Sequence, residues 1–134
     1  MGSFSEEVDR FVEKTKSKME LAIRKIALEM FSRVVLRSPV DTGRFRGNWQ
    51  VAIGSVPTGT LDLDDKSGQA TLGKVQAAAL GLQVGDTITL VNNLPYGPRL
   101  ENGHSGQAPN GMVGLTVQEF HSVVQEIGLE LVQL

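Results

Sequence analysis

Apolar residues recur near the N-terminus as Phe4, Val8, Phe11/Val12, Met19, Ala22/Ile23, Ile26, Met30 and Val34, with Thr15 filling the one gap. This spacing, unbroken by Gly or Pro, predicts a helix over about residues 5–36. Ser3 and Ser5 ahead of Glu6 and Glu7 supply hydroxyl caps and first-turn carboxylates for its start. At a rise of ~1.5 Å per residue the helix is roughly 48 Å long, more than a domain of this size buries along its length. Two outcomes stay open. Part of the helix projects or packs on another chain, or it kinks and wraps its own sheet.

Pro39 ends the helix, because it disfavours helical geometry at Ser38. Asp41-Thr42-Gly43 is turn chemistry, a short carboxylate followed by a glycine free to take positive φ. Arg44 and Arg46 then share one face of a starting strand, with Phe45 on the other and Trp49 following. Residues 49–54 alternate and read as a strand, broken by Pro57 and Gly59. The Ala-rich residues 68–82 carry Leu72, Val75, Ala79 and Leu82 at helical spacing, ending near Gly81 or Gly85. Residues 86–92 form the clearest strand, β-branched and alternating. Residues 112–134 read as a last helix, with Gly128 as a weak point. The fold expected is α+β in a single domain, 1–134. A long N-terminal helix and a C-terminal helix pack on a small, mostly antiparallel sheet, with a short middle helix.

Between the last strand and the last helix, residues 92–111 form a loop with three prolines and four glycines, far beyond the usual ~4–6 residues. Leu94, Tyr96 and Leu100 suit a docking loop that orders on assembly, with Glu101 meeting Arg44 or Arg46 of a neighbour. The alternative is a loop folded onto its own domain, with Tyr96 in the core and Glu101 paired within the chain.

Composition narrows the function classes. The 134 residues hold 40% hydrophobic and 21% charged residues, ordinary for a globular domain. With no cysteine there is no disulfide, thiolate nucleophile or cysteine-held metal. No run reaches the ~18 apolar residues of a membrane span, and the charged N-terminus does not read as a signal peptide. Met1-Gly2-Ser3 resembles a myristoylation start, but Glu6 stands where Ser or Thr belongs. The default is a cytoplasmic product. The net charge of −2 hides a split, because residues 1–47 hold ten Lys/Arg and seven Asp/Glu, giving +3. Residues 48–134 hold three and eight, giving −5. Oppositely charged ends suit packing between copies, whereas a nucleic-acid clamp is usually basic overall.

Candidate chemistry is sparse. An EF-hand loop begun at Asp62 finds Lys66, Ser67 and Gly73 where an acid or Asn, a Gly and a Glu belong, so it reads as an acidic, solvated loop. Glu101, His104 and Ser105 lie close in sequence, but glycines flank them and no nucleophile elbow is present. His121 stands alone and shares no metal-ligand spacing with His104. Arg44, Arg46 and Trp49 form the one segment that could bind nucleic acid, by phosphate contact and stacking, yet no basic stripe continues it. No phosphate-binding or dinucleotide glycine pattern occurs.

Four blocks together carry a resemblance: residues 38–50 (Ser-Pro-Val-Asp-Thr-Gly-Arg-Phe-Arg-Gly-Asn-Trp-Gln), Val91-Asn-Asn-Leu-Pro-Tyr, Leu100-Glu-Asn-Gly-His-Ser and Gln107-Ala-Pro-Asn-Gly-Met-Val. In order and spacing the chain resembles the tailed-phage neck, or tail-completion, family over nearly its whole length. One departure is Tyr96-Gly-Pro-Arg, where the family more often has bulkier apolar residues after the Tyr. The resemblance implies a virion component, made in the bacterial host cytoplasm, without catalysis or cofactor. Its place is the head–tail junction, as a ring of copies, often sixfold in such necks, around the DNA channel. Its partners are then the head–tail connector and the tail terminator or tail tube proteins. Double-stranded DNA passes without sequence-specific binding, and no membrane is involved. The interface residues implied are Arg44, Arg46, Trp49, Leu94, Tyr96, Leu100, Glu101 and His104, with Pro39, Asp41, Thr42 and Gly43 as the structural turn.

Overall fold

A computed structural model describes residues 3–132 of the chain. The element order is α1 (Phe4–Arg37), α2 (Arg44–Gly47), β1 (Trp49–Ile53), α3 (Gln69–Leu80), β2 (Ile88–Asn92), α4 (Gly97–Glu101), α5 (Val113–Gln118) and α6 (Phe120–Val132). The fold is α+β, with the long first helix, the C-terminal helix, the small antiparallel sheet and the short middle helix read from the sequence. Met1, Gly2, Gln133 and Leu134 lie outside the described residues, as do the myristoylation-like start and the end of the expected last helix.

The first helix begins as its sequence dictates. The Glu6 backbone N–H donates to the Ser3 hydroxyl, and the Ser3 N–H donates to the Glu6 carboxylate, closing a reciprocal cap. From Phe4 to Ser17 every residue is exposed, and the helix is packed by its own chain only further on. Of the two outcomes left open, projection is the one observed.

The core sits around the second half of α1. Val34 and Val35 pack with Phe45, Trp49, Val75, Leu94, Ala108 and Met112. A second cluster joins Ala27 to Ala79 and Leu82, with Ile23, Ile53 and Ile88 against it. Along the other flank of α1, Leu21, Ala22, Ile26 and Met30 meet Val123, Ile127 and Leu131 of α6. Lys25 pairs with Glu130 and Arg37 with Glu119, so α6 runs antiparallel to α1. The sheet pairs β1 with β2 from Trp49 opposite Asn92 to Ile53 opposite Ile88.

The single helix expected over 112–134 is two. The break falls at Glu119, whose carboxylate is drawn to Arg33 and Arg37 of α1. A hydrogen bond from Arg37, aided by one from Arg33, outweighs partial burial and lowers the Glu119 pKa to about 2. The acidic loop is likewise only partly solvated. Asp62 and Asp64 are exposed, but Asp65 is buried and caps α3, accepting from the Thr71 N–H and hydroxyl, both at 2.8 Å, and from the Gly68 N–H. Burial opposes the charge on Asp65, yet these hydrogen bonds outweigh it and hold its pKa below the ordinary value.

Both carboxyls are more acidic folded than unfolded. Their stabilisation is complete above the unfolded value, near 4.5 for Glu119, and is lost as pH falls toward the folded one. Urea unfolding midpoints should stay level from neutral pH down to about 5 and decline between about 4.5 and 2. Glu119→Gln should lower the midpoint at neutral pH and leave it nearly unchanged at the acid end of that window.

Candidate functional site

The segments flagged at residues 38–50 and 92–111 meet in space. Pro39, Val40, Asp41, Thr42, Gly43, Arg44 and Phe45 form one wall of a cleft of about 270 Å³, and Tyr96, Leu100, Ser105 and Gln107 form the other. Gln107 clamps the walls together: the Val40 N–H donates to its Oε1 at 2.8 Å, and its Nε2 donates to the Val40 carbonyl at 3.0 Å. Phe45 forms the base, with its ring 5.8 Å from that of Tyr96 and 5.8 Å, edge on, from that of Trp49.

The turn at one wall is set by Gly43, in the left-handed region at φ +93°. A Cβ there would lie 2.5 Å from the Lys66 nitrogen, so only glycine fits. Its carbonyl accepts from the N–H groups of Gly47 and Asp65, starting a single helical turn and joining it to the loop before α3. Asn48 closes that turn: its Nδ2 donates to the Arg44 and Leu61 carbonyls, and its Oδ1 accepts from the Leu61 N–H.

The strand expected at Arg44 is therefore a helix turn, and the arginines do not share a face. At about 100° per residue they diverge by about 200°. Arg44 is exposed at the cleft. Arg46 turns inward, donating to the carbonyls of Leu36 at 2.9 Å, Ser38 at 2.9 Å and Lys66 at 2.7 Å. Trp49 is buried, and its Nε1 donates to the Ser38 hydroxyl at 2.7 Å, which donates in turn to the Val34 carbonyl. Placing Arg46 and Trp49 on a docking or nucleic-acid surface is corrected on this ground: both terminal nitrogens of the Arg46 guanidinium and the Trp49 ring N–H are engaged within the chain.

The expected docking loop divides in the same way. Leu94 is in the core at 3% exposure, and Leu100 is half-buried against it. Tyr96 stays 40% exposed, packed on Phe45 by one side. Glu101 does not wait for a neighbour's arginine. Its carboxylate accepts from the backbone N–H groups of Met112 (3.1 Å), Val113 (2.9 Å) and Gly114 (2.9 Å), capping α5. Those three bonds overcome the cost of burial and lower its pKa. Gly111 lies close against Glu101, with no room for a side chain. His104 is exposed, and among the described residues no hydrogen bond joins its ring to Ser105 or Glu101. No group of three or more His, Asp or Glu able to hold a metal ion occurs among the described residues.

Sequence reasoning passed over Gln107, Asn48 and the burial of Asp65. Asp65 had a local signal, an acid just ahead of a helix start. The partners of Gln107 and Asn48 are 67 and 13 residues away, so no spacing rule reaches them. Comparison of the chain with family models, curated proteins and solved structures finds no match.

The two arginines should separate in experiment. Arg46→Ala strands three carbonyls and should cost about 2 kcal/mol of unfolding free energy. Arg44→Ala should change it by less than about 0.5 kcal/mol in the same urea titrations.

Proposed function

We propose that the chain is a structural subunit of a tailed-phage neck. At the head–tail junction it forms a ring that joins tail to head and leaves a channel for DNA. The reading begins from the four sequence blocks that resemble neck and tail-completion proteins. One observation supports it most: all four of those blocks, spread along the chain from Pro39 to Gln107, converge on the cleft lined by Thr42, Arg44, Tyr96, Leu100 and Gln107. Blocks that served only the core would have no reason to border one open cleft.

In this reading the cleft receives an apolar or acidic element of a neighbouring subunit. Tyr96 offers a ring already held on one side by Phe45, so little of its freedom is lost on contact. Arg44 offers a free guanidinium at the rim. Partners are other copies of the chain, the head–tail connector, and the tail terminator or tail tube proteins. The excess of acidic groups beyond residue 48 suits a conduit through which DNA slides without sticking. The virion is the proposed location.

Cryo-EM of the virions should show the chain as a ring at the head–tail junction, and its absence there would refute the proposal. Tyr96→Ala with Arg44→Glu should fold like the wild type by circular dichroism and yield heads and tails that fail to join. Fluorescence anisotropy with duplex DNA at low salt should show little binding. Micromolar, salt-sensitive binding lost in Arg44→Ala would instead favour a nucleic-acid module.

A further inference from the structure

The apolar stripe on α1 does not stop where α6 stops covering it. Positions 8, 11, 15, 19, 22, 26 and 30 recur at steps of three and four, an eleven-residue period that keeps the stripe almost straight along the helix. Its C-terminal part, Ala22, Ile26 and Met30, is packed against α6. Its N-terminal part is open to solvent, with Phe4 81%, Phe11 70% and Val12 53% exposed. Phe11, Val12, Thr15, Lys16 and Met19, together with Val84, line an open apolar groove of about 390 Å³. An arm of this kind needs a cover.

The charges beside the stripe indicate which cover. Placed at about 100° per residue, Glu7, Lys14 and Lys18 flank it on one side, and Asp9 and Lys16 flank it on the other. Each flank is acidic toward the N-terminus and basic a heptad later. None of these five charges makes an ion pair among the described residues. In a parallel pair of arms, Glu7 and Asp9 would meet across the seam, as would Lys14 and Lys16. An antiparallel pair brings like flank to like flank with the ends reversed. Glu7 then faces Lys14 and Lys18 of the second copy, and Asp9 faces its Lys16. The centres of the Glu7/Lys14 and Asp9/Lys16 spacings straddle Phe11 and Val12, which places one two-fold axis at the middle of the exposed stripe. About that axis, Phe4 of the second copy falls at the level of Met19 and Val84.

We infer that the projecting half of α1 is a self-association arm, on which two copies of the chain pair antiparallel around Phe11 and Val12. The inference does not rest on the neck reading, and holds for this chain whatever it does elsewhere. The contact is a single short helix pair at the small end of specific interfaces, so its dissociation constant falls in the micromolar range.

Sedimentation equilibrium of the full chain should show a mass rising from monomer to dimer across micromolar concentrations. Phe11→Glu should hold it at monomer mass with unchanged thermal unfolding, because that side chain lies outside the core. Asp9→Lys should weaken the dimer about tenfold by setting Lys against Lys16 twice. Adding Lys16→Glu should restore it. A monomer at every concentration overturns the inference. So does a dimer indifferent to Phe11→Glu, or one that Lys16→Glu fails to rescue, since the contact then lies on another face or in another register.

Discussion

A long helix ends in carbonyls that need donors, and the rest of this domain is arranged around meeting that need at the end of α1. The Ser38 N–H and hydroxyl turn back to Val35 and Val34, while the Arg46 guanidinium takes Leu36 and Ser38. The Trp49 ring N–H then takes the Ser38 hydroxyl. These donors come from the turn and strand that follow, so satisfying the helix end also fixes the path of the next segment. Phe45 and Trp49 are thereby brought onto Val34 and Val35, and the core closes. The cationic guanidinium also stands at the negative end of the helix dipole.

The same economy recurs with opposite sign at the starts of the short helices. Asp65 serves α3 and Glu101 serves α5, each a carboxylate accepting several N–H groups at the positive end of a helix. Glu101 in addition closes the segment that carries Tyr96, because its carboxylate ties α4 to the start of α5. The cleft is a by-product of these constraints. Its walls are held by Gly43, Gln107 and Glu101, and at the rim are left Arg44 and the open side of Tyr96, whose other side packs on Phe45.

Elements governed by local periodicity were legible in the sequence: α1, α3 and both strands lie within a few residues of where spacing puts them. What was not legible depended on partners far along the chain. The arginine turn looked like a strand because Gly-Arg-Phe-Arg-Gly-Asn contains nothing that announces the lock between Asn48 and Leu61. The helix break at Glu119 has no Gly or Pro, and arises where that carboxylate reaches arginines more than 80 positions earlier. For the candidate site, the segments were visible and the roles within them were not. Residue type marked Arg46, Trp49 and Glu101 as sticky, and hydrogen bonds within the chain turned that stickiness inward.

The cleft and the exposed stripe of α1 differ in the symmetry they allow. A ring grows by head-to-tail contact between unlike patches, as between the cleft and some other face of a neighbour. Antiparallel pairing of arms is two-fold and joins like to like. A closed assembly using both contacts at once has dihedral symmetry, two rings back to back with identical outer faces. A junction between head and tail is polar and presents unlike faces to unlike partners. On the proposed neck reading the two contacts therefore exclude one another once assembly is complete, though they sit at opposite ends of a helix roughly 50 Å long and do not compete for residues. On the neck reading, arm pairing belongs to the free subunit, where it shields Phe4, Phe11 and Met19 until a partner offers the stripe a better cover. Its weakness then becomes a requirement, since a contact that must be given up on assembly cannot be tighter than the one replacing it.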